Sequence, residues 1–282
     1  MFGPNTDIKV NVKTNFSHRD NKFIKLYKSL SNLIIEKARL DSHEYDVVFI
    51  GGSGTLAIES VFWSTLHGIK VIGNQGLWYD KWKEFSKIYS VNKESEYHNM
   101  YCQLETSNSK IFNESNCIVD GISSFPYYDI PKNTKIFVTC SNKQLGSIAG
   151  LGIVFVRKDF WSELKDDKLF SYMNISRYRK YGSKGQTPST STVTIFQDLY
   201  ERLKRLEISS LRSKINDNSK LLIDLFGGSP SPVFVIPKKE IPIEIASKYD
   251  LYGLNTDSEN YSIFTYSSDD DHYRKFFKEF KS

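Results

Sequence analysis

The stretch Tyr45-Asp-Val-Val-Phe-Ile-Gly-Gly-Ser-Gly-Thr55 predicts a strand, a glycine-rich turn and the first turn of a helix. Its first six residues are mostly apolar, which is typical of a strand buried in a sheet. The apolar pattern of residues 56–66 continues as a helix, so the N–H groups of its first turn lie beside the glycine-rich loop. This arrangement favours an anion site, a phosphate above all, although an ordinary tight turn has the same pattern.

Short strands and helices alternate along the first half of the chain. Strands are predicted at residues 69–72, 101–105, 116–120, 135–139 and 152–156, and helices at residues 21–40 and 77–89. This alternation predicts an α/β fold whose central sheet is mainly parallel. Only about a dozen residues connect the strands at 101–105 and 116–120, and several of them are turn formers, so we expect a reduced helical layer on that side.

The second half of the chain begins with a long helical pattern at residues 191–226. The segment Gly227-Gly-Ser-Pro-Ser-Pro232 interrupts the pattern. Strands at residues 233–236 and 261–266 and helices at residues 242–249 and 269–280 are predicted beyond it. We therefore predict a large domain of residues 1–226, which includes the long connecting helix, and a small α/β domain of residues 227–282.

Composition excludes several classes of protein. The net charge of +5, from 38 basic and 33 acidic residues, is a mild excess without a basic block, so nucleic-acid binding is not the expected function. The apolar runs are too short to span a bilayer, and the N-terminus has no signal-peptide pattern, so a cytosolic protein is expected. The three cysteines lie far apart without a CxxC pair, which predicts neither a disulfide framework nor a metal site.

Three side chains stand where predicted strands or helices begin or end. Lys143 follows the strand at residues 135–139. A lysine shielded from water there loses its proton more readily and can form a Schiff base, although most lysines in such loops are solvated. Asp120 lies at the carboxyl edge of the sheet, where α/β folds bind ligands, but an N-cap or an Asx turn is the commoner role of a single aspartate. Trp78 begins a helix and either packs flat on a heteroaromatic ring or fills the core.

In this order along the chain, these residues resemble the class V aminotransferases among the pyridoxal phosphate enzymes of fold type I. The branches of 2-aminoethylphosphonate–pyruvate transaminase and alanine–glyoxylate aminotransferase are the most similar. The segments that carry the resemblance are Phe2-Gly-Pro4, Ser17-His-Arg19, Gly52-Ser-Gly-Thr-Leu-Ala-Ile-Glu59, Asn74-Gln-Gly-Leu-Trp78, Glu105-Thr-Ser107, Val119-Asp-Gly-Ile-Ser-Ser-Phe125, Ser141-Asn-Lys143, Gly150-Leu-Gly-Ile-Val-Phe155 and Thr187-Pro-Ser-Thr190. Members of the family run well beyond 282 residues, so this chain is a compact version.

The resemblance implies a mostly parallel central sheet with helices on both faces, a small C-terminal domain and pyridoxal 5′-phosphate as the cofactor. It implies that Lys143 holds the cofactor as a Schiff base and moves the substrate proton. Asp120 would pair with the pyridine nitrogen, which lets the ring accept electrons. Trp78 would stack on the ring.

Further cofactor contacts and a dimer also follow from the resemblance. The residues implied to contact the cofactor are Ser53, Gly54, Thr55, Thr106, Ser141, Thr187 and Thr190. In the family, the segment matching Thr187 to Thr190 reaches the cofactor phosphate of the neighbouring subunit. A homodimer with active sites at its interface is therefore expected.

The substrate is less well defined, because the chain departs from the family here. Relatives carry an arginine in a strand of the small domain that binds the substrate's acid group, whereas the matching strand here, Tyr261-Ser-Ile-Phe-Thr265, has none. Arg19 and Arg177, with Arg179, are the candidate replacements, and surface charge is their alternative role.

The resemblance implies a transaminase acting on a small amino compound, 2-aminoethylphosphonate or a related amino acid, with a 2-oxo acid as acceptor. A pyridoxal phosphate lyase or decarboxylase, and a shortened relative without catalysis, remain open alternatives. The presence of Lys143 and Asp120 favours an enzyme, since neither residue is needed for packing.

Overall fold

The computed structural model describes residues 16–90, 96–267 and 270–280. The predicted motif Phe2-Gly-Pro4 lies outside them. The helices are α1 (Asn21–Lys37), α2 (Gly54–Ser64), α3 (Leu77–Tyr89), α4 (Ile175–Gly182), α5 (Val193–Arg205), α6 (Ile208–Phe226), α7 (Ile243–Lys248) and α8 (Asp270–Phe280). The strands are β1 (Tyr45–Gly51), β2 (Gly68–Val71), β3 (Tyr97–Cys102), β4 (Leu104–Glu105), β5 (Lys110–Ile111), β6 (Ile118–Asp120), β7 (Ile136–Cys140), β8 (Leu151–Arg157), β9 (Val233–Pro237) and β10 (Asn260–Phe264).

A six-stranded sheet in the order β1-β8-β7-β6-β3-β2 forms the centre of the fold. The neighbours β2, β3, β6 and β7 pair in parallel, which confirms the predicted α/β class with a mostly parallel sheet. Strand β8 is antiparallel to both of its neighbours, β7 and β1. The short segment between β7 and β8 explains this direction, since a parallel connection needs a longer crossover.

Side chains alternate between two cores, one on each face of this sheet. In β1, Val47 and Phe49 belong to one core, together with residues of α1 and α5. Val48 and Ile50 belong to the other, together with residues of α2, α3 and α4. A strand covered by helices on both faces needs apolar side chains on both, which is why Val47 to Ile50 form an unbroken apolar run.

The connection from β3 to β6 contains no helix. It contains instead the two-stranded hairpin of β4 and β5, in which Leu104 pairs with Ile111. The reduced helical layer expected on this side is therefore observed. The strand predicted at residues 101–105 is shifted, because the central strand already ends at Cys102 and Leu104 starts the hairpin.

The single long helix predicted for residues 191–226 is wrong. Leu206 and Glu207 both have extended backbone angles, with ψ of 111° and 107°, and they separate α5 from α6. The carbonyl oxygen of Leu206 accepts a hydrogen bond from Lys37 Nζ at 2.7 Å. The apolar period continues through Leu206 because this side chain packs on the first core, so the sequence pattern hides the break.

A second, two-stranded antiparallel sheet of β9 and β10 lies beyond α6. It packs with α7, α8 and the end of α6 around a separate apolar core that includes Leu222, Ile236 and Phe276. The division into domains at residue 226 stays a prediction. Within the described ranges, no helix is long and apolar enough to cross a membrane.

Candidate functional site

A cavity of about 530 Å³ opens at the carboxyl ends of the parallel strands. The last residues of β3, β6 and β7, which are Cys102, Asp120 and Cys140, all line it. Open α/β sheets bind ligands at this edge. We call these strand ends, the loop after β7 that carries Lys143, and the starts of α2 and α3 the sheet wall.

The opposite side of the cavity comes from the second sheet. Its residues are Tyr252, Gly253, Thr256, Ser258, Asn260, Ser262 and Phe264. The last three alternate along β10, because every second side chain of a strand points to the same face. We call this side the β10 wall.

Lys143 lies three residues beyond the end of β7, in a loop that is closed on itself. Within that loop, Ser141 Oγ donates to Ile148 O at 2.6 Å, and Gly146 N donates to Lys143 O at 3.0 Å. Burial lowers the pKa of Lys143, and the nearby Cys140 and Asp120 oppose this effect only in part. A buried amine with a lowered pKa is the form that attacks a carbonyl carbon.

Asp198 of α5 holds this loop from behind. One of its oxygens, Oδ2, accepts from Ser147 Oγ at 2.7 Å and from Ile148 N at 3.1 Å. The Asp198 residue is only 5% exposed. Its role was not predicted from the sequence, because an aspartate in an amphipathic helix looks like an ordinary surface residue.

Asp120 is buried at the end of β6, yet each of its oxygens has a donor. Trp82 Nε1 donates to Oδ2 at 2.9 Å, and Ile122 N donates to Oδ1 at 3.0 Å. Burial raises the pKa of Asp120 to about 6, although these two hydrogen bonds act in the opposite direction. The carboxylate is therefore ionised at neutral pH at a cost in folding free energy, a situation that is typical of functional sites.

Trp82 is a second residue that the sequence analysis did not single out. Its indole is fully buried and stacks against that of Trp78, with ring centres 5.5 Å apart and planes at 30°. Trp78 lines the cavity, and its Nε1 donates to Thr106 Oγ1 at 2.8 Å. The spacing of four residues between the two tryptophans on a helix is the signal that could have paired them.

Glu105 fixes the start of α3. This fully buried carboxylate accepts from Trp78 N and Tyr79 N through Oε2, both at 3.1 Å, and from Ser107 Oγ through Oε1 at 2.7 Å. An anionic side chain at a helix N-terminus satisfies N–H groups that have no partner within the helix. Glu105, which belongs to the segment Glu105-Thr-Ser107 that resembles the family, therefore positions Trp78 in the sheet wall.

The glycine-rich loop ends at α2 as predicted. Ser53 is the N-cap of α2, and its Oγ accepts from Leu56 N at 3.1 Å. A Cβ atom on Gly54 would lie 2.8 Å from Ile122 Cδ1, so a larger residue here would displace the Ile122 side chain. Ser53, Gly54 and Thr55 line the cavity with the positive end of the helix dipole.

Three predicted cofactor contacts do not line this cavity. The hydroxyl of Ser141 is buried in its own loop, where it donates to Ile148 O. Thr187 is buried as well, and its hydroxyl donates to Ser189 O at 2.8 Å. Thr190 is exposed.

The predicted substrate arginines also lie elsewhere. Arg19 donates to Gln186 Oε1 at 2.7 Å and lies over the ring of Tyr181. Arg177 lies over the ring of Phe170, at 4.5 Å from its centre. Arg179 pairs with Asp46 at 3.1 Å. None of the three lines the cavity.

Comparison with known proteins identifies the fold. No protein-family model matches the chain. A curated relative, the soluble hydrogenase 42 kDa subunit of Anabaena cylindrica, is 24% identical over an alignment of 217 residues, and the match covers 62% of this chain. The match covers only 57% of that protein's length.

Solved aminotransferase structures match almost the whole chain. Alanine–glyoxylate aminotransferase from Nostoc sp. matches with a TM-score of 0.77 at 13% identity, over 96% of this chain and 90% of that one. Phosphoserine aminotransferase with bound pyridoxal phosphate, from Trichomonas vaginalis, matches with a TM-score of 0.74 at 14% identity, over 95% and 90%. At these identities the likeness shows the fold, and it confirms the predicted fold type I of the pyridoxal phosphate aminotransferases.

Proposed function

We propose that the chain is a pyridoxal 5′-phosphate-dependent aminotransferase that moves an amino group between a small primary amine and an oxo compound. The proposal is carried by one observation, that Lys143, Asp120 and the first turn of α2 line the same cavity. The fold likeness to an aminotransferase with this cofactor bound supports it. The finer expectations, 2-aminoethylphosphonate or a related amino acid as donor and a 2-oxo acid as acceptor, stay predictions.

The side chains of the sheet wall fit the cofactor at three places. The amine of Lys143 suits its carbonyl carbon, because burial lowers the pKa of this amine. The buried carboxylate of Asp120 suits a protonated ring nitrogen, which would compensate the buried negative charge. The start of α2 at Gly54 and Thr55 suits a phosphate group.

Lys143 is the residue that we propose to move the proton. Its amine is the one lysine amine at the cavity among the described residues. With the cofactor bound, Nζ would take a proton from the substrate carbon that bears the amino group and would later return it. The hydrogen bonds that close the Lys143 loop, including those to Asp198, keep this amine in place.

Asp120 and Trp78 orient the reacting molecules. Asp120 would hold a proton on the ring nitrogen through a charge-assisted hydrogen bond, and Trp82 and Ile122 keep its oxygens in position. Trp78, fixed by Thr106 and Glu105, lines one side of the cavity, where it would lie beside the ring.

The cofactor, when bound, supplies an electron sink for the carbanion and a temporary carrier for the amino group. The overall reaction balances without an external oxidant. The donor carbon exchanges its amino group and its hydrogen for an oxo oxygen from water, while the acceptor carbon gains an amino group and a hydrogen and releases its oxo oxygen as water.

The replacement of Lys143 by alanine tests the proposal. Wild-type protein incubated with pyridoxal phosphate is expected to develop the absorbance of the bound cofactor, and borohydride is expected to fix the cofactor to Lys143 in a peptide map. Lys143→Ala should lose this label and about 10⁴-fold or more of the turnover. Lys220→Ala, at an exposed lysine that pairs with Asp217, is the matched control.

A label on another residue, or no label on a folded wild-type protein, would refute the proposed role of Lys143. The lyase alternative is tested in the same sample. A transaminase leaves the cofactor in its amine form after one turnover with a donor, and a lyase does not.

The homodimer is also part of the proposal. Thr187 and Thr190 lie outside the cavity of their own chain, and Thr190 is exposed, as a contact to a second copy requires. The mass in solution, measured by light scattering, tests it. An active monomer would rule out a site shared between subunits.

A further inference from the structure

We infer that the β10 wall binds the hydroxyl-bearing part of a primary amine that carries no carboxylate, phosphate or phosphonate group. The inference rests on the proposed function and specifies its substrate class. It also departs from the amino acid or aminophosphonate donor that the family resemblance implies.

The described lining of the cavity carries little charge. Among the described residues that line it, the only cation is Lys143 and the only anion is Asp120. Both groups are engaged by the cofactor in the proposed function. The rest of the lining is neutral, so it offers no counter-ion to an acid group on the substrate.

The arginines of this chain do not supply a counter-ion to the cavity. The sequence contains nine, and all of them fall within the described ranges. None lines the cavity. A carboxylate or phosphonate that leaves water needs a close cation or several aimed donors, and guanidinium groups supply these best.

Lys238, which directly follows β9, does not supply a cation to the cavity either. Lys238 Nζ donates to Thr256 O at 2.9 Å and lies over the ring of Tyr261, 5.6 Å from its centre. Tyr261 belongs to the opposite face of β10 from the cavity-lining Asn260 and Ser262. This ammonium group therefore supports the loop of the β10 wall from outside the cavity.

The β10 wall presents neutral polar groups to the cavity. Asn260 and Ser262 project from β10, whereas the hydroxyls of Thr256 and Ser258 line the cavity but donate within their own loop, to Gly253 O and Asn260 O. Amide and hydroxyl groups both donate and accept hydrogen bonds, which is the match for substrate hydroxyls. Phe264 adds an apolar face close to the reacting end, since Lys143 Nζ lies 5.5 Å from the centre of its ring.

Backbone contacts fix the conformation of the loop at residues 252–258 in the β10 wall. Gly253 has a φ of +101°, and a Cβ there would lie 2.7 Å from Asn260 O. Ser262 N donates to Tyr252 O at 2.9 Å, which holds the loop against β10. The polar side chains of the loop therefore stay at the cavity.

Matched pairs of amines test the inference on the holoenzyme. Serinol differs from L-serine by a hydroxymethyl group in place of the carboxylate, and ethanolamine differs from 2-aminoethylphosphonate by a hydroxyl in place of the phosphonate. In single turnovers followed by the cofactor absorbance, serinol and ethanolamine should each react at least about tenfold faster than their acidic partners. Because donor and acceptor enter the same cavity in turn, hydroxyacetone should likewise exceed pyruvate as acceptor.

Faster reaction of the acidic members would overturn the inference and leave the proposed function standing. It would mean that a cation from outside the described lining, such as one from a second copy of the chain, reaches the substrate. If neither these amines nor L-alanine and L-aspartate react with the bound cofactor, the proposed function itself fails.

Installing the missing cation gives an independent test. Ser262→Arg should shift the ratio of acidic to neutral rates by about tenfold or more in favour of L-serine and 2-aminoethylphosphonate. Asn260→Arg, one side chain further out on the same face, is the second variant if the first does not fold. Ser210→Arg, on the exposed surface of α6, adds the same charge away from the cavity and should leave the ratio unchanged. An unchanged ratio in folded Ser262→Arg and Asn260→Arg would refute the assignment of the β10 wall to the substrate.

Discussion

The sheet wall and the β10 wall face each other across one cavity, but they are built differently. On the sheet wall, Asp120 and Lys143 are ionisable groups whose pKa values are shifted by burial. On the β10 wall, Asn260 and Ser262 carry no charge. This difference suggests a division of work, in which the sheet wall carries out the chemistry and the β10 wall selects the substrate.

The two walls are also supported differently. Long-range hydrogen bonds hold the sheet wall, such as those from Trp82 to Asp120 and from Ser147 to Asp198, which join residues 38 and 51 positions apart. In the β10 wall the hydroxyl of Ser258 bonds locally, donating to Asn260 O at 3.0 Å. Changes to the sheet wall should therefore have large effects on the reaction, and changes to the β10 wall should be tolerated.

After Lys143, the largest effect is expected at Asp120. Asp120→Asn keeps the shape but removes the negative charge that holds the ring nitrogen protonated, so turnover should fall roughly 10²–10³-fold. The cofactor should still bind to Lys143 and give its absorbance. Full activity in this variant would assign Asp120 to packing alone.

The same substitution should stabilise the cofactor-free protein. The pKa of Asp120 is raised from 3.8 to about 6 in the folded state, so its stabilising protonated form is lost as the pH rises between these values. Above about pH 6 the ionised wild-type side chain costs about 3 kcal/mol, and the asparagine avoids part of this cost. Thermal melts should therefore show a gain for Asp120→Asn at neutral pH that shrinks towards pH 4.

An intermediate effect is expected at Trp82, which acts through Asp120. Trp82→Phe removes the donor to Oδ2, and the loss of a hydrogen bond to a charged group should weaken cofactor binding roughly tenfold. Because this hydrogen bond lowers the pKa of Asp120, the acid limb of the activity profile should move to higher pH.

The matched control is Trp63→Phe, at a partly exposed indole that Lys165 covers. If both tryptophan variants lose cofactor affinity equally and neither shifts the pH profile, Trp82 has only a packing role.

The smallest effect is expected on the β10 wall. Asn260→Ala removes one neutral hydrogen-bonding group, so KM for the preferred amine should rise about threefold with kcat unchanged. Glu259→Ala, at the exposed neighbour, should change neither constant. A hundredfold loss of kcat in Asn260→Ala would place the β10 wall in the chemistry and remove the contrast between the two walls.

Much of the fold followed from local pattern. The apolar run before Gly52 marked β1, and residues 77–89 were predicted as the helix that is observed as Leu77–Tyr89. The helix break at Leu206 was not predicted, because the apolar period of a sequence indicates which side chains are buried and not the backbone angles. The side chains of Asp120 and Lys143 were predictable as neighbours, since the carboxyl ends of parallel strands meet at one edge.

The sequence by itself determined the alternation of strands and helices and the residue types at the strand ends, because these depend on periodicity and on short-range backbone chemistry. Only the tertiary structure decided that Trp82 supports Asp120, that Asp198 holds the Lys143 loop and that Ser262 faces the cavity. Such contacts join residues far apart in the chain, and they depend on how the helices and the second sheet pack against the central sheet. The charged residues of the sheet wall could therefore be predicted from the sequence, whereas the neutral β10 wall was apparent only in the tertiary structure.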